Sequence, residues 1–192
     1  MTALSRRSVL TSVSTALGVG LLAACSEDTS GRYNTGFVAG EGVTTEIPPD
    51  QRSEAIDFTA QAYSGEEITL SAWRGAPVVL NVWYASCAPC RKEAPDLKAL
   101  AEEYAPQGVR FVGINVRDTA AAAQAFEKKF EIPYPSIPDL NAEVMYELRG
   151  QVTPNAVPST LVFDEQGRVA ARISGLAEKS ILSAMIDRVL SE

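Results

Sequence analysis

From Ala76 to Tyr84 the chain reads APVVLNVWY, a nearly unbroken apolar and β-branched run. A strand buried on both faces requires such a run, whereas a half-exposed strand alternates. VRFVGINV (Val109–Val116) repeats the pattern and predicts a second buried strand. Between them, Ala94, Leu97, Leu100, Ala101 and Tyr104 recur at helical spacing over Arg91–Tyr104, interrupted by Pro95. Asp118–Phe130 predicts a helix built from strong helix formers, with Asp118 as its N-cap. PYPSI predicts a short extended piece, and Asn141–Leu148 a helix closed near Gly150. STLVF (Ser159–Phe163), the turn DEQG and RVAARIS (Arg168–Ser174) predict an antiparallel hairpin. Glu178–Leu190 is amphipathic, with Ile181, Leu182, Met185, Ile186 and Val189 on one side. Upstream, Ile68–Leu70 would close a small hairpin after Gly65.

Strand, helix, strand, helix, helix, hairpin, helix is the order of an α/β sandwich with helices on both sheet faces. No internal repeat is visible. The first 24 residues have a charged start and an apolar middle, ending in small residues before Cys25, the layout of an export signal. SRRSVL (Ser5–Leu10) resembles a twin-arginine signal, although Val9 and Thr11 replace the usual Phe and Lys; a Sec signal stays open. LAAC (Leu22–Cys25) resembles a bacterial lipobox, which implies cleavage before Cys25 and a diacylglycerol on its sulfur. Cleavage at an Ala-x-Ala-like site, with Cys25 incidental, is the alternative. Residues 25–55 are rich in Ser, Thr, Gly, Asp and Glu and read as a flexible tether. The folded domain is expected over 56–192, outside the cytoplasmic membrane and held there by lipid.

The charge excludes one class of partner. With 17 Lys+Arg against 24 Asp+Glu the net charge is −7, so nothing offsets the repulsion of a phosphate backbone. The 46% apolar and 21% charged shares are those of an ordinary globular chain, and a monomer is expected.

Candidate chemistry lies between the first strand and first helix, in SCAPC. A closed zinc site takes four ligands, usually Cys or His. The chain has three cysteines and no histidine, and lipidation would occupy Cys25, so no metal and no cofactor is expected. A purely structural Cys87–Cys90 disulfide would close a very short loop with little entropic gain, and it stays as an alternative. The redox alternative has a mechanism. At a helix N-terminus, free N–H groups and the helix dipole favour a thiolate. Cys87, at an exposed strand-to-helix turn, would attack a substrate disulfide. Cys90, one turn later, would resolve the mixed disulfide by attacking Cys87. Pro89 suits the first turn of a helix, where its missing N–H costs least.

VVLNVWYASCAPCRKEAPDL, VRFVGINV, IPYPSIPD, VPSTLVFDEQGRV and ISG, in this order, resemble the TlpA/ResA-like branch of the thioredoxin superfamily over roughly Ala55–Leu190. The resemblance implies a thioredoxin fold: a central mixed β-sheet, helices on both faces and an N-terminal β-hairpin extension. It implies a membrane-tethered thiol–disulfide oxidoreductase that meets protein disulfides, including those of apocytochrome c, and draws electrons from a membrane thiol reductase. It implies that Pro158 is cis and faces the cysteines, with Val157 offering a backbone edge to an extended substrate. Glu93 matches a glutamate that manages the proton of Cys90 or meets substrate; a solvated first-turn glutamate is the alternative. Trp83 matches an aromatic beside the site, and core packing is its alternative. Two positions depart from the pattern. Ser86 stands where a Trp is usual, and Asn81 where cytoplasmic thioredoxins place a buried Asp. LRGQVTPNA before Val157 is longer than usual and reads as a solvated loop, with a lip over the site as the alternative. Four functions remain open: a disulfide reductase, an oxidant or isomerase for secreted proteins, a thiol peroxidase (weakened by Tyr84 in place of Thr), and a non-enzymatic lipoprotein.

Overall fold

In the computed structural model, residues 43–153 and 155–192 are described. They form β1 (Val43–Glu46), β2 (Thr59–Gln61), β3 (Glu67–Thr69), β4 (Val78–Trp83), α1 (Ala88–Tyr104), β5 (Arg110–Asn115), α2 (Ala120–Phe130), β6 (Ser136–Pro138), α3 (Glu143–Glu147), β7 (Ser159–Phe163), β8 (Val169–Ser174) and α4 (Lys179–Leu190). Six strands make one sheet in the order β1-β8-β7-β4-β5-β6. β4, β5 and β6 run parallel, while β7 is antiparallel to both β4 and β8. β4 lies at the centre, and all six of its residues are buried, as its apolar run requires.

Alternation along β4 serves two cores. Val78, Leu80 and Val82 join Val112, Ile114, Leu161 and Phe163 beneath the β2–β3 hairpin and the short α3. Val79 points the other way, into Leu97, Leu100, Tyr104, Leu182, Met185 and Ile186 of α1 and α4. Leu80, Val79 and Val82 are fully buried, each contributing about 1.5–3 kcal/mol by leaving water. The same alternation brings Trp83, at the end of β4, against Phe126 of α2, with ring centroids 4.4 Å apart.

The expected elements form, with four corrections. Part of the expected tether is folded. Val43–Glu46 pairs with Ser174–Ala171 as an edge strand, so the fold begins well before residue 56. Arg52 fastens this segment: its buried guanidinium donates to Asp164 Oδ2 at 3.0 Å, to Glu192 Oε2 at 2.6 Å and to the Ile47 carbonyl at 3.0 Å. A run poor in apolar residues concealed a strand held by its backbone, by the Arg52 ion pairs with Asp164 and Glu192, and by the pair of its own Glu46 with Arg188. Second, α1 begins at Ala88 and runs through Pro95 without a break, held across it by its buried face. Third, Ile181 is exposed. Fourth, the stretch before Val157 is not simply solvated, because Leu148 and Val152 are buried in the core beside α3. The expected export signal, Cys25 and the first part of the expected tether lie outside the described residues.

Candidate active site

The chain leaves β4 at Trp83, turns through Tyr84–Ser86 and enters α1 with Cys87 as its N-cap. Cys87 Sγ accepts a hydrogen bond from the Cys90 N–H at 3.1 Å, the place a capping oxygen takes in most helices. That N–H is one of the orphan donors of a helix start, so sulfur is held where a negative charge is favoured. Cys87 and Cys90 are joined in a disulfide, with Cα atoms 5.2 Å apart.

The expected exposure of Cys87 is corrected. It is 2% exposed, as is Cys90. Both pack with Trp83, Ala94, Ala123 and Phe126, and Val157 closes over this cluster. Trp83, read as an aromatic beside the site or as core packing, is 4% exposed and packs with the cysteines and Phe126, so it presents little surface to a substrate. Ser86, Ala88 and Pro89 form the exposed rim. The Val157–Pro158 peptide is cis, Pro158 is buried, and Val157 is half-buried against the cysteine cluster.

Glu93 is not solvated. It is 0% exposed, three residues after Cys90 and hence on the same face of α1. Asn81 Nδ2 donates to Glu93 Oε1 at 2.8 Å, and the Ala177 N–H donates to Oε2 at 2.8 Å. Asn81 also donates to Thr160 Oγ1 at 3.1 Å. Burial pushes the Glu93 pKa up to about 8, against the two hydrogen bonds, which favour the anion. The buried carboxyl that Asn81 lacks is therefore supplied by Glu93, from the helix instead of the strand. A glutamate sealed under Ala177 cannot reach a substrate.

Sequence reading missed the residues that hold the cysteine loop. Asp118 does not cap α2; Thr119 does. Asp118 Oδ2 instead accepts from the Ala85 N–H at 2.5 Å and from Asn115 Nδ2 at 2.8 Å. Asn115 Oδ1 accepts from the Asp118 N–H at 2.9 Å, closing a short loop at the end of β5. Arg91 Nη1 donates to the Ala85 carbonyl at 3.1 Å, and its guanidinium lies 5.3 Å from the Phe130 ring centroid. Ala85 is thus gripped at both backbone groups, two residues before Cys87. The signal was an Asx pair, Asn115 and Asp118, directly after a buried strand.

The AhpC/TSA family profile matches residues 52–172, more than half of the chain. The thiol-disulfide oxidoreductase ResA of Bacillus subtilis is 28% identical over 150 residues, 78% of each chain. A secreted thiol-disulfide isomerase from Corynebacterium glutamicum superposes with a TM-score of 0.73 at 30% identity, over 81% of this chain and 97% of that one. A DsbF homologue from Corynebacterium diphtheriae does so with a TM-score of 0.69 at 32% identity, over 79% and 96%. The chain belongs to the AhpC/TSA family and is one of its thiol–disulfide oxidoreductases of thioredoxin fold.

Proposed function

We propose that this enzyme is a disulfide reductase of proteins outside the cytoplasm, with apocytochrome c as a candidate substrate, anchored by lipid at Cys25. The observation that carries the redox reading is the Cys90 N–H donating to Cys87 Sγ at the start of α1. On this reading Cys87 is the nucleophile. Its thiolate attacks one sulfur of a substrate disulfide, and the other sulfur leaves with the electron pair. Cys90 then gives up its proton and attacks Cys87 Sγ. The Cys87–substrate bond breaks, the substrate leaves reduced, and the Cys87–Cys90 disulfide remains. Glu93 receives the Cys90 proton; a carboxyl with a pKa of about 8 is matched to that task near neutral pH. Val157 and Pro158 offer the substrate an edge over the cysteines, and Ser86 leaves the rim open. A membrane thiol reductase returns two electrons.

Three features support the thiol–disulfide chemistry and the place. The ResA relative bears the oxidoreductase name, and a solved neighbour is secreted. The export signal and LAAC fit an extracytoplasmic lipoprotein. Tyr84, half-buried beneath the Arg117 guanidinium at 4.4 Å, stands where the peroxidase reading needs a Thr.

The test uses insulin reduction and thiol trapping. Cys87→Ala abolishes turnover, whereas Cys90→Ala accumulates mixed disulfides. Equal activity in the two variants contradicts the two-step scheme. Labelling with palmitate marks the chain through Cys25, and an unlabelled, freely released product contradicts the anchor.

A further inference from the structure

Three cations lie on aromatic rings around the cysteines. The Arg117 guanidinium is 4.4 Å from the Tyr84 ring centroid. That of Arg91 is 5.3 Å from Phe130 and 6.0 Å from Phe126, and Lys129 Nζ is 5.7 Å from Phe130. Phe126 belongs to the cluster that holds Cys87 and Cys90, and Tyr84 and Phe130 pack against it. Among the described residues none of these three cations forms an ion pair, whereas Arg52, Lys98, Lys179 and Arg188 each meet a carboxylate. A guanidinium stacked on a ring keeps its charge, and its edge N–H groups stay open to a carboxylate.

Two of the three stand at the turn before Cys87. The Cys87 N–H donates to the Tyr84 carbonyl at 3.2 Å, and Arg117 covers the Tyr84 ring. Arg91 Nη1 donates to the Ala85 carbonyl at 3.1 Å. Arg117 is exposed, and so is Ser86, the last residue of the turn. The carboxylates of this region are otherwise engaged. Asp118 accepts from the Ala85 N–H and from Asn115, Glu131 pairs with Lys98, Glu127 is half-buried and Glu93 is fully buried. The chain as a whole carries −7, so the rim of the nucleophile inverts the sign of the molecule. A local patch of one sign draws the opposite charge to it and orients its approach.

We propose that this rim selects substrate segments with acidic side chains beside the disulfide. Carboxylates within two residues of the attacked cysteine, about 7 Å of extended chain, pair with Arg117 and Arg91 as the substrate sulfur reaches Cys87. The inference rests on Cys87 as the nucleophile and names the substrate class of that same site. Arg117 is a specificity-determining residue in this scheme and takes no part in the exchange of bonds. Arg91 also holds the Ala85 carbonyl, so its loss would disturb the turn, and Arg117 is the cleaner probe.

Three synthetic peptides test this, each with one cysteine joined to a coloured thiopyridone and flanked on both sides by pairs of Glu, Gln or Lys. Cys87 of the reduced full-length chain attacks the peptide sulfur. The bond to thiopyridone breaks, and the thiopyridone leaves with the electron pair and takes a proton from solvent. Each second-order rate is divided by the rate with mercaptoethanol, which removes the peptides' own reactivity. Exposed ion pairs are individually weak, so the Glu peptide should exceed the Gln peptide by about tenfold at low salt. The excess should fall below about twofold in 1 M salt, where the screening length is about 3 Å. Arg117→Gln lowers it to about threefold, and Arg117→Lys restores it. Arg110→Gln removes a cation from the Trp73 ring at the opposite end of β5 and keeps the full preference. Equal normalised rates for the Glu and Gln peptides, or a Lys peptide that reacts fastest, overturn the proposal and leave the redox reading standing. So does a preference that ignores salt or Arg117→Gln, that Arg117→Lys fails to restore, or that Arg110→Gln lowers equally. A chain that releases thiopyridone from none of the peptides overturns the redox reading itself, and the proposal with it.

Discussion

Replacing Glu93 by Gln should make the protein more stable and less active, and the size of the gain is set by burial. The Glu93 pKa rises from 4.5 to about 8. A carboxyl whose folded pKa lies above its unfolded value holds a proton in the folded state that the unfolded chain has released. Stability is therefore greatest below about pH 4.5 and is lost as the pH climbs toward about 8. At about 1.4 kcal/mol per unit, the loss is about 3 kcal/mol at pH 7 and approaches about 5 kcal/mol above pH 8. Gln has nearly the same shape and carries no proton equilibrium. It accepts at one atom only, whereas Glu93 accepts from both Asn81 and Ala177. That mismatch returns about 1 kcal/mol unless the Asn81 amide turns over. The net expectation at pH 7 is about 2 kcal/mol of added stability, or roughly 4–8 °C in Tm. The assay is urea unfolding of the oxidised protein at pH 5 and pH 8.5. Wild type should lose stability between the two, and Glu93→Gln should lose far less. Burial raises Glu127 as well, with the same sign, so only the difference between the two proteins reports Glu93. Resolution by Cys90 should fall roughly 100-fold in the variant, since an amide takes up no proton. Parallel curves, or a Gln variant that is less stable at pH 8.5, would refute the buried-acid account.

Two further substitutions probe what holds the site and the fold. Asp118→Ala strips the Ala85 N–H of its acceptor, so it should cost about 1–3 kcal/mol in urea unfolding and reduce turnover, with Asp118→Asn milder on both counts; unchanged turnover would show that the cysteine loop needs no such grip. Arg52→Ala leaves the buried Asp164 with Arg168 as its remaining ion-pair partner and loosens the segment after β1, so unfolding should move by about 3 kcal/mol while insulin reduction by the folded protein persists; a shift below about 0.5 kcal/mol would mean that backbone pairing and the Glu46–Arg188 ion pair hold the edge strand without Arg52.

The central strands were legible because nothing but burial on two faces explains APVVLNVWY and VRFVGINV. The pairing of Cys87 with Cys90 was legible because two cysteines separated by two residues, set before a helix, come within bridging distance. β1 was not legible: Val43–Glu46 has one apolar residue and owes its place to backbone pairing with β8 and to Arg52, which acts at a distance of more than a hundred residues. Asp118 was misread because a carboxylate before a helix has two ways to bond, inward to its own helix or across to another loop. Which of the two wins depends on where Ala85 lies. In the sequence Glu93 fits both a proton-handling group beside the cysteines and a solvated first-turn residue, and its burial depends on the loop through Leu176 and Ala177.

The direction of the chemistry is tested most directly by the reduction potential of the Cys87–Cys90 couple, measured against a thiol buffer at pH 7. A reductase should lie near the thioredoxin value of about −270 mV, where the disulfide is the stable form and electrons pass to substrate. A potential near the strongly oxidising value of about −120 mV, at which the reduced pair is the stable one, would contradict the reductase reading and make the protein an oxidant.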